Sequence, residues 1–128
     1  SLDGALGVGT SASSTAGEIR AFNQITSYYS DERLKENIEL IPNALDKVME
    51  LRGVTYNANE LAESFGYINK EKQVGVIASD VEKVLPEAVD TTNPDEFGLA
   101  YTDVIPLLVA AIKELKAELD ALKAKVGV

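Results

Sequence analysis

The chain of 128 residues has no cysteine, no histidine and no tryptophan, and a single methionine. Without cysteine there is no disulfide framework and no thiolate zinc site, so cysteine usage leaves the redox compartment open. Without histidine the Ser-His-Asp and Cys-His triads fall away, together with the commonest metal ligand. Hydrolysis without imidazole is left with a carboxylate pair or a serine–lysine dyad. No apolar run approaches about 18 residues, and no charged n-region precedes an apolar h-region at the N-terminus. The N-terminus therefore reads as a point within a longer protein, and no membrane partner is expected. Basic residues are also scarce, with 12 Lys and Arg against 21 Asp and Glu. The net charge of −9 argues against nucleic acid or an anionic membrane as the main partner. Gly4, Gly7 and Gly9 do not form the G-x-G-x-x-G pattern of a dinucleotide site. No cofactor and no metal is expected.

What is present suffices for one small domain. Hydrophobic residues make up 45%, and a chain of this length buries a limited share of its surface, so oligomerisation is a natural further source of stability. Residues 1–29 stand apart. SLDGALGVGTSASSTAG is built from small and polar residues with no helical period, and reads as the extended or β-rich C-terminal end of a larger fibrous body. Ile19–Tyr29 reads as a strand leading out of it. From Ser30 the composition becomes globular. Ser30 or Asp31 can cap a first helix carrying Leu34 and Ile38, which Pro42 interrupts. NALDKVMELRG supplies a second helix, with Gly53 as its C′ residue. VTY and Val74–Ile77 read as short strands, SDVEKVL as a short helix stopped by Pro86, TTNPDEFG as a turn and LAY as another short strand. The expected core is Leu34, Ile38, Leu45, Val48, Val76, Ile77, Val81, Leu85, Leu107 and Leu108.

The last segment, about residues 103–126, carries the strongest period. Ile105, Leu108, Ile112, Leu115, Leu119, Leu122 and Val126 follow steps of three and four, the a/d seam of a coiled coil. Thr102 can cap this helix, and Pro106 falls in its first turn. Glu118 and Lys123 occupy g and e positions that can pair between parallel chains. The alternative is a single helix with that seam on the core of its own chain, since periods of 3.5 and 3.6 diverge little over this length. The a/d residues alone do not separate a dimer from a trimer.

Ser30 and Lys35 pose the chemical question. A serine hydroxyl needs a base, and a lysine serves only as the free amine, which burial among apolar groups favours. At the start of a helix, Lys35 could fold back toward Ser30, with Leu34 and Ile38 as an apolar wall and the helix N-terminus offering donors to an oxyanion. On spacing alone, an N-cap serine and a solvated lysine are the default. The wider pattern decides. YSDERLKENI, GVIASDVEKVLPEAV and YTDVIPLLVAAIKELKAEL resemble, in order and spacing, the chaperone-of-endosialidase domain, the C-terminal intramolecular chaperone of phage tail spikes and fibres. The resemblance covers Ser30 to about Leu122, with Ser79 where the family often has glutamine.

That resemblance implies an α+β fold of short strands and helices with a long C-terminal coiled-coil helix, assembled as a parallel homotrimer. It implies a domain over 30–128 that templates the upstream fibre of the same chain and then cuts itself free as a single-turnover serine endopeptidase. Ser30 matches the nucleophile and Lys35 the base; Asp31, Arg33 and Asn37 match motif positions with orienting or structural roles. Ser30–Asp31 is the first choice of scissile bond. Tyr29–Ser30 is the second, because attack by Ser30 on the preceding carbonyl passes through a five-membered ring, whereas attack on its own carbonyl needs four. The expected setting is the host cytoplasm during virion assembly, with the fibre going to the tail and the chaperone fragment released. A non-catalytic trimerisation module is the alternative, and a Ser–Lys hydrolase of separate substrates ranks last.

Overall fold

A computed structural model describes residues 4–127. The chain divides into two units, one ending at Ile38 and the other beginning at Glu39. In the first, β1 (Leu6–Val8) pairs in parallel with β2 (Ile19–Ala21), Leu6 opposite Ile19 and Val8 opposite Ala21. The chain between them turns so tightly that the backbone of Thr10–Ala12 leaves no room for a Cβ at Gly7. The strand expected over Ile19–Tyr29 is thus only three residues long.

The first unit closes with a single 3-10 turn, Glu32–Leu34, in place of the helix expected over residues 30–38. Asp31, not Ser30, is its cap, and its carboxylate accepts from the Arg33 N–H at 2.9 Å. Lys35 is already extended, and Asn37 takes a left-handed φ of +56°. A cap alone does not carry a helix forward, and a turn this short gains too little to continue without packing. Leu34 and Ile38 are exposed rather than core.

In the second unit, helix α1 (Ala44–Met49) leads into β3 (Gly53–Tyr56), which pairs antiparallel with β4 (Gln73–Val76). Gly53 therefore opens a strand instead of ending a helix. The short helix α2 (Glu60–Ser64) lies in the β3–β4 connection, capped by the Asn59 side chain on the Ala62 N–H. Helix α3 (Ala78–Val84) follows β4 and gives way at Pro86, as the sequence predicts. β5 (Val89–Asp90) and β6 (Gly98–Leu99) flank the turn. The chain ends in α4 (Ile105–Val126), with Pro106 in its first turn. Thr102 is not its cap: a 3-10 turn over Tyr101–Val104 runs straight into the helix. That turn is tied to β4 where the Tyr101 hydroxyl accepts from the Val76 N–H at 3.3 Å. A Cβ on Gly75 would stand 2.5 Å from the same oxygen, so glycine is what lets the tyrosine approach.

The core is small. Among the described residues Ala44, Val81, Ala88, Val104, Leu107 and Ala111 are buried. Ala44, Leu107 and Ala111 join α1 to α4; Val81, Ala88 and Val104 join α3 to the start of α4. Leu51 and Leu85 pack against both groups, and Leu45, Val48 and Val76 are half-buried around them. At the seam between α1 and α4, the Glu114 carboxylate accepts from the Ala44 and Leu45 N–H groups at 2.8 and 3.0 Å. This caps α1, whose own cap residue Asn43 makes no side-chain bond. Arg52 reaches Asp80 at 2.8 Å, tying the end of the α1 segment to α3.

The mixed helix and short-strand architecture with a long C-terminal helix is as expected. The a/d seam, however, is not the face of α4 that meets the core. Val104, Leu107, Ala111 and Glu114 turn inward, while Ile105, Leu108, Ile112, Leu115, Leu119, Leu122 and Val126 are all exposed. Leu108, expected in the core, belongs to that outer face.

Candidate active site

The candidate site lies on the 3-10 turn of the first unit and the residues just before it. Asp31 and Arg33 form an ion pair within it. Both Asp31 oxygens receive the Arg33 guanidinium, Nη2 standing 2.6 Å from Oδ2 and Nε 3.1 Å from each oxygen. The guanidinium first, and the Arg33 N–H second, hold the Asp31 carboxyl below its ordinary value, and the pairing raises Arg33 in turn. The pair closes the turn on itself. Asn37 contributes through its backbone: at φ +56° it reverses the chain two residues beyond Lys35, a conformation that asparagine tolerates better than most residues.

Lys35 does fold back. Its Nζ donates to the Tyr29 carbonyl oxygen at 2.8 Å and stands 4.5 Å from the centroid of the Tyr29 ring. The amine is therefore bonded to the oxygen of the Tyr29–Ser30 peptide itself. No hydrogen bond joins Ser30 to Lys35, and the Ser30 hydroxyl has no partner among the described residues. Both side chains are exposed. Two parts of the expected arrangement are missing from the isolated chain. Leu34 and Ile38, 61% and 62% exposed, do not form an apolar wall around the amine. The expected helix N-terminus is a three-residue turn, and two of its donors are engaged, Arg33 N–H by the Asp31 carboxylate and Leu34 N–H by the Asp31 carbonyl.

Tyr29 is the residue that sequence reasoning missed. Its φ of +79° is unusual for an aromatic residue, and its carbonyl and its ring both meet Lys35. Nothing in SYYSDE marks one of the two tyrosines as left-handed.

Residues 30–90 match the family model described as chaperone of endosialidase, a family classed among the peptidases. The segment belongs to that family. The match begins at Ser30. Over 100 residues, 75% of this chain, the chain is 41% identical to the long tail fiber protein Gp37 of Enterobacteria phage K3 and to that of Enterobacteria phage T2. It is 39% identical over 98 residues to the Gp37 of Enterobacteria phage M1. The matched part is 8% of the K3 protein, 7% of the T2 protein and 38% of the M1 protein, so the chain spans a small part of these relatives. The chaperone-of-endosialidase segment thus occurs here in a chain similar to phage tail fibre proteins. No helix among the described residues is long and apolar enough to cross a membrane.

Proposed function

We propose that this chain is the C-terminal intramolecular chaperone of a phage tail fibre, that it acts as a parallel homotrimer, and that it releases itself by autoproteolysis at Ser30. The observation that carries this reading is the family match that opens at Ser30, in a chain without histidine or cysteine. In this reading residues 1–29 are the end of the fibre body, and residues 30–128 are the chaperone. Three fibre ends must be held in register before their non-local contacts form, and loop-closure entropy makes that step slow. A C-terminal coiled coil supplies the register and raises the local concentration of the chains. Cutting removes the template and leaves the mature fibre kinetically trapped. Assembly takes place in the host cytoplasm, with the fibre retained in the virion tail and the chaperone set free.

Ser30 is the nucleophile and Lys35 its base. Attack by Ser30 Oγ on the Tyr29 carbonyl passes through a five-membered ring and breaks the C–N bond to Ser30. The amine leaves with a proton, and water then hydrolyses the ester to a Tyr29 carboxylate and a free serine hydroxyl. Attack by a neighbouring subunit's Ser30 on the Ser30 carbonyl instead expels the Asp31 amine, with the same proton balance. The family resemblance favours Ser30–Asp31, while the bond from Lys35 to the Tyr29 carbonyl favours Tyr29–Ser30. The exposed Leu34 and Ile38 suit a site that neighbouring subunits complete.

The test is mass spectrometry of a fibre chain ending in this sequence, beside its Ser30→Ala and Lys35→Arg variants. Wild type is cut beside Ser30, and the fragment masses assign the bond. Both variants stay whole, because one lacks the nucleophile and the other keeps a guanidinium that cannot take its proton. A second reading, a non-catalytic trimerisation module, is favoured by the absence of a Ser30–Lys35 hydrogen bond. It predicts an uncut wild type.

A further inference from the structure

Resting on the self-cleavage reading, we propose that Tyr29 is a positioning residue for Lys35, holding its amine at the peptide next to the nucleophile through both a carbonyl and a ring face. An exposed lysine on a short turn ordinarily samples many rotamers, since its flexible stem carries a large conformational entropy. Here Nζ is fixed at two points by one residue, 2.8 Å from the Tyr29 oxygen and 4.5 Å from the centre of its ring. The second distance lies inside the range over which a ring face attracts a cation. The Tyr29 backbone adopts φ +79° to make both contacts, a conformation disfavoured for a bulky side chain. Burial does not repay that strain, because Tyr29 is 68% exposed. Strained residues persist where surrounding contacts determine them, and the hydrogen bond and the ring contact of Tyr29 both go to Lys35.

The arrangement is compatible with base catalysis. A neutral amine has two N–H bonds and one lone pair. The attraction of the ring for a cation is lost with the proton. The neutral amine can still keep one N–H on the Tyr29 carbonyl and turn the other to the ring face, while presenting its lone pair to the Ser30 hydroxyl of the adjoining residue. The first N–H would then polarise the Tyr29 carbonyl. Tyr29 need not touch the transferred proton; it fixes where the amine stands.

Three variants of a fibre chain ending in this sequence test the proposal, with self-cleavage followed over time and the oligomeric state measured in parallel. Tyr29→Leu removes the ring and slows cleavage on the order of tenfold or more, the scale expected for a misplaced catalytic group. Tyr29→Phe keeps the ring face and rescues the rate relative to Tyr29→Leu. Tyr29→Gly relieves the backbone but lacks the ring, so it is slow as well; a purely conformational role would leave it fast. In this 128-residue chain, kept whole by Ser30→Ala in every version compared, NMR gives a reading independent of cleavage. Ring-current shifts of the Lys35 side-chain protons are present in wild type and Tyr29→Phe and absent in Tyr29→Leu. Wild-type cleavage by Tyr29→Leu, or failure of Tyr29→Phe to rescue, overturns the positioning role while Ser30-dependent cleavage stands. An uncut wild type, or cleavage that persists in Ser30→Ala, overturns the self-cleavage reading and this proposal with it.

Discussion

An exposed serine is chemically quiet until a base and an electrophilic carbonyl are brought to it, and at the residue scale this chain supplies part of that arrangement. Lys35 is returned to the Tyr29–Ser30 peptide, while the Ser30 hydroxyl stays free of it. Because Asp31 caps the turn, Ser30→Ala removes no hydrogen bond from the described structure, so on the self-cleavage reading it should stay uncut with no loss of thermal stability. A lowered melting temperature would show that Ser30 has a structural role the turn does not reveal. Asn37 allows a second prediction. At φ +56°, Asn37→Gly keeps the chain path, whereas Asn37→Val introduces strain of about 1–2 kcal/mol at a left-handed position. Cleavage should therefore slow in Asn37→Val and persist in Asn37→Gly; equal rates in both would place the importance of Asn37 in its side-chain amide. The motif was legible in SDERLKENI because residue types at fixed offsets mark it. The left-handed backbones of Tyr29 and Asn37 were not, since neither is a glycine.

At the scale of elements, α3 and α4 were legible because proline and a sustained apolar period bound them. The helix expected over residues 30–38 failed because a capping residue and two apolar positions are too little when nothing packs on them. Thr102 failed as a cap because a 3-10 turn can feed a helix without a side-chain cap. The α1–α4 contact could not be foreseen, since Glu114 is seventy residues from Ala44 and reads as one acid among many on α4. Leu107 lies at the centre of that contact and is fully buried, so Leu107→Ala should cost about 2–5 kcal/mol in denaturant unfolding. Glu114 makes the contact pH-dependent. The Leu45 N–H, then the Ala44 N–H, with Lys47 nearby, hold its carboxyl below the ordinary 4.5. A carboxyl lowered on folding stabilises the fold above its unfolded value, and that contribution is lost as pH falls through the lowered value. Glu114→Gln should melt lower than wild type near neutrality, and the gap should close on acidification below about pH 4.5. A gap that stayed constant across the titration would mean that the charge on Glu114 does not hold α1.

At the scale of the whole molecule the decisive feature is that α4 carries two stripes. One, through Val104, Leu107, Ala111 and Glu114, is used within the chain. The other, from Ile105 to Val126, is apolar and stays open to solvent over the whole helix, and beyond Glu114 every described residue of α4 is exposed. The sequence showed the second stripe through its heptad spacing, but not that the first would take the core and leave it free. A helix that projects with an uncovered apolar face gains little stability from propensity alone, and partners along a/d positions are the way such a face is buried. Lys116 and Asp120 pair on the helix flank, leaving the seam itself free of charge. Leu115 sits just beyond the part of α4 that packs on its own chain and is 52% exposed there. Leu115→Asp should therefore spare the internal core while placing three carboxylates in one apolar layer of a parallel trimer, where neither water nor a counter-charge compensates them. Light scattering at micromolar concentration should give a trimer for wild type and a monomer for Leu115→Asp, with the circular dichroism of α4 falling in step. Leu107→Ala, by contrast, should lower stability without changing the stoichiometry of the folded fraction. A wild type that is monomeric under these conditions, or a Leu115→Asp variant that stays trimeric, would rule out the seam as the assembly surface.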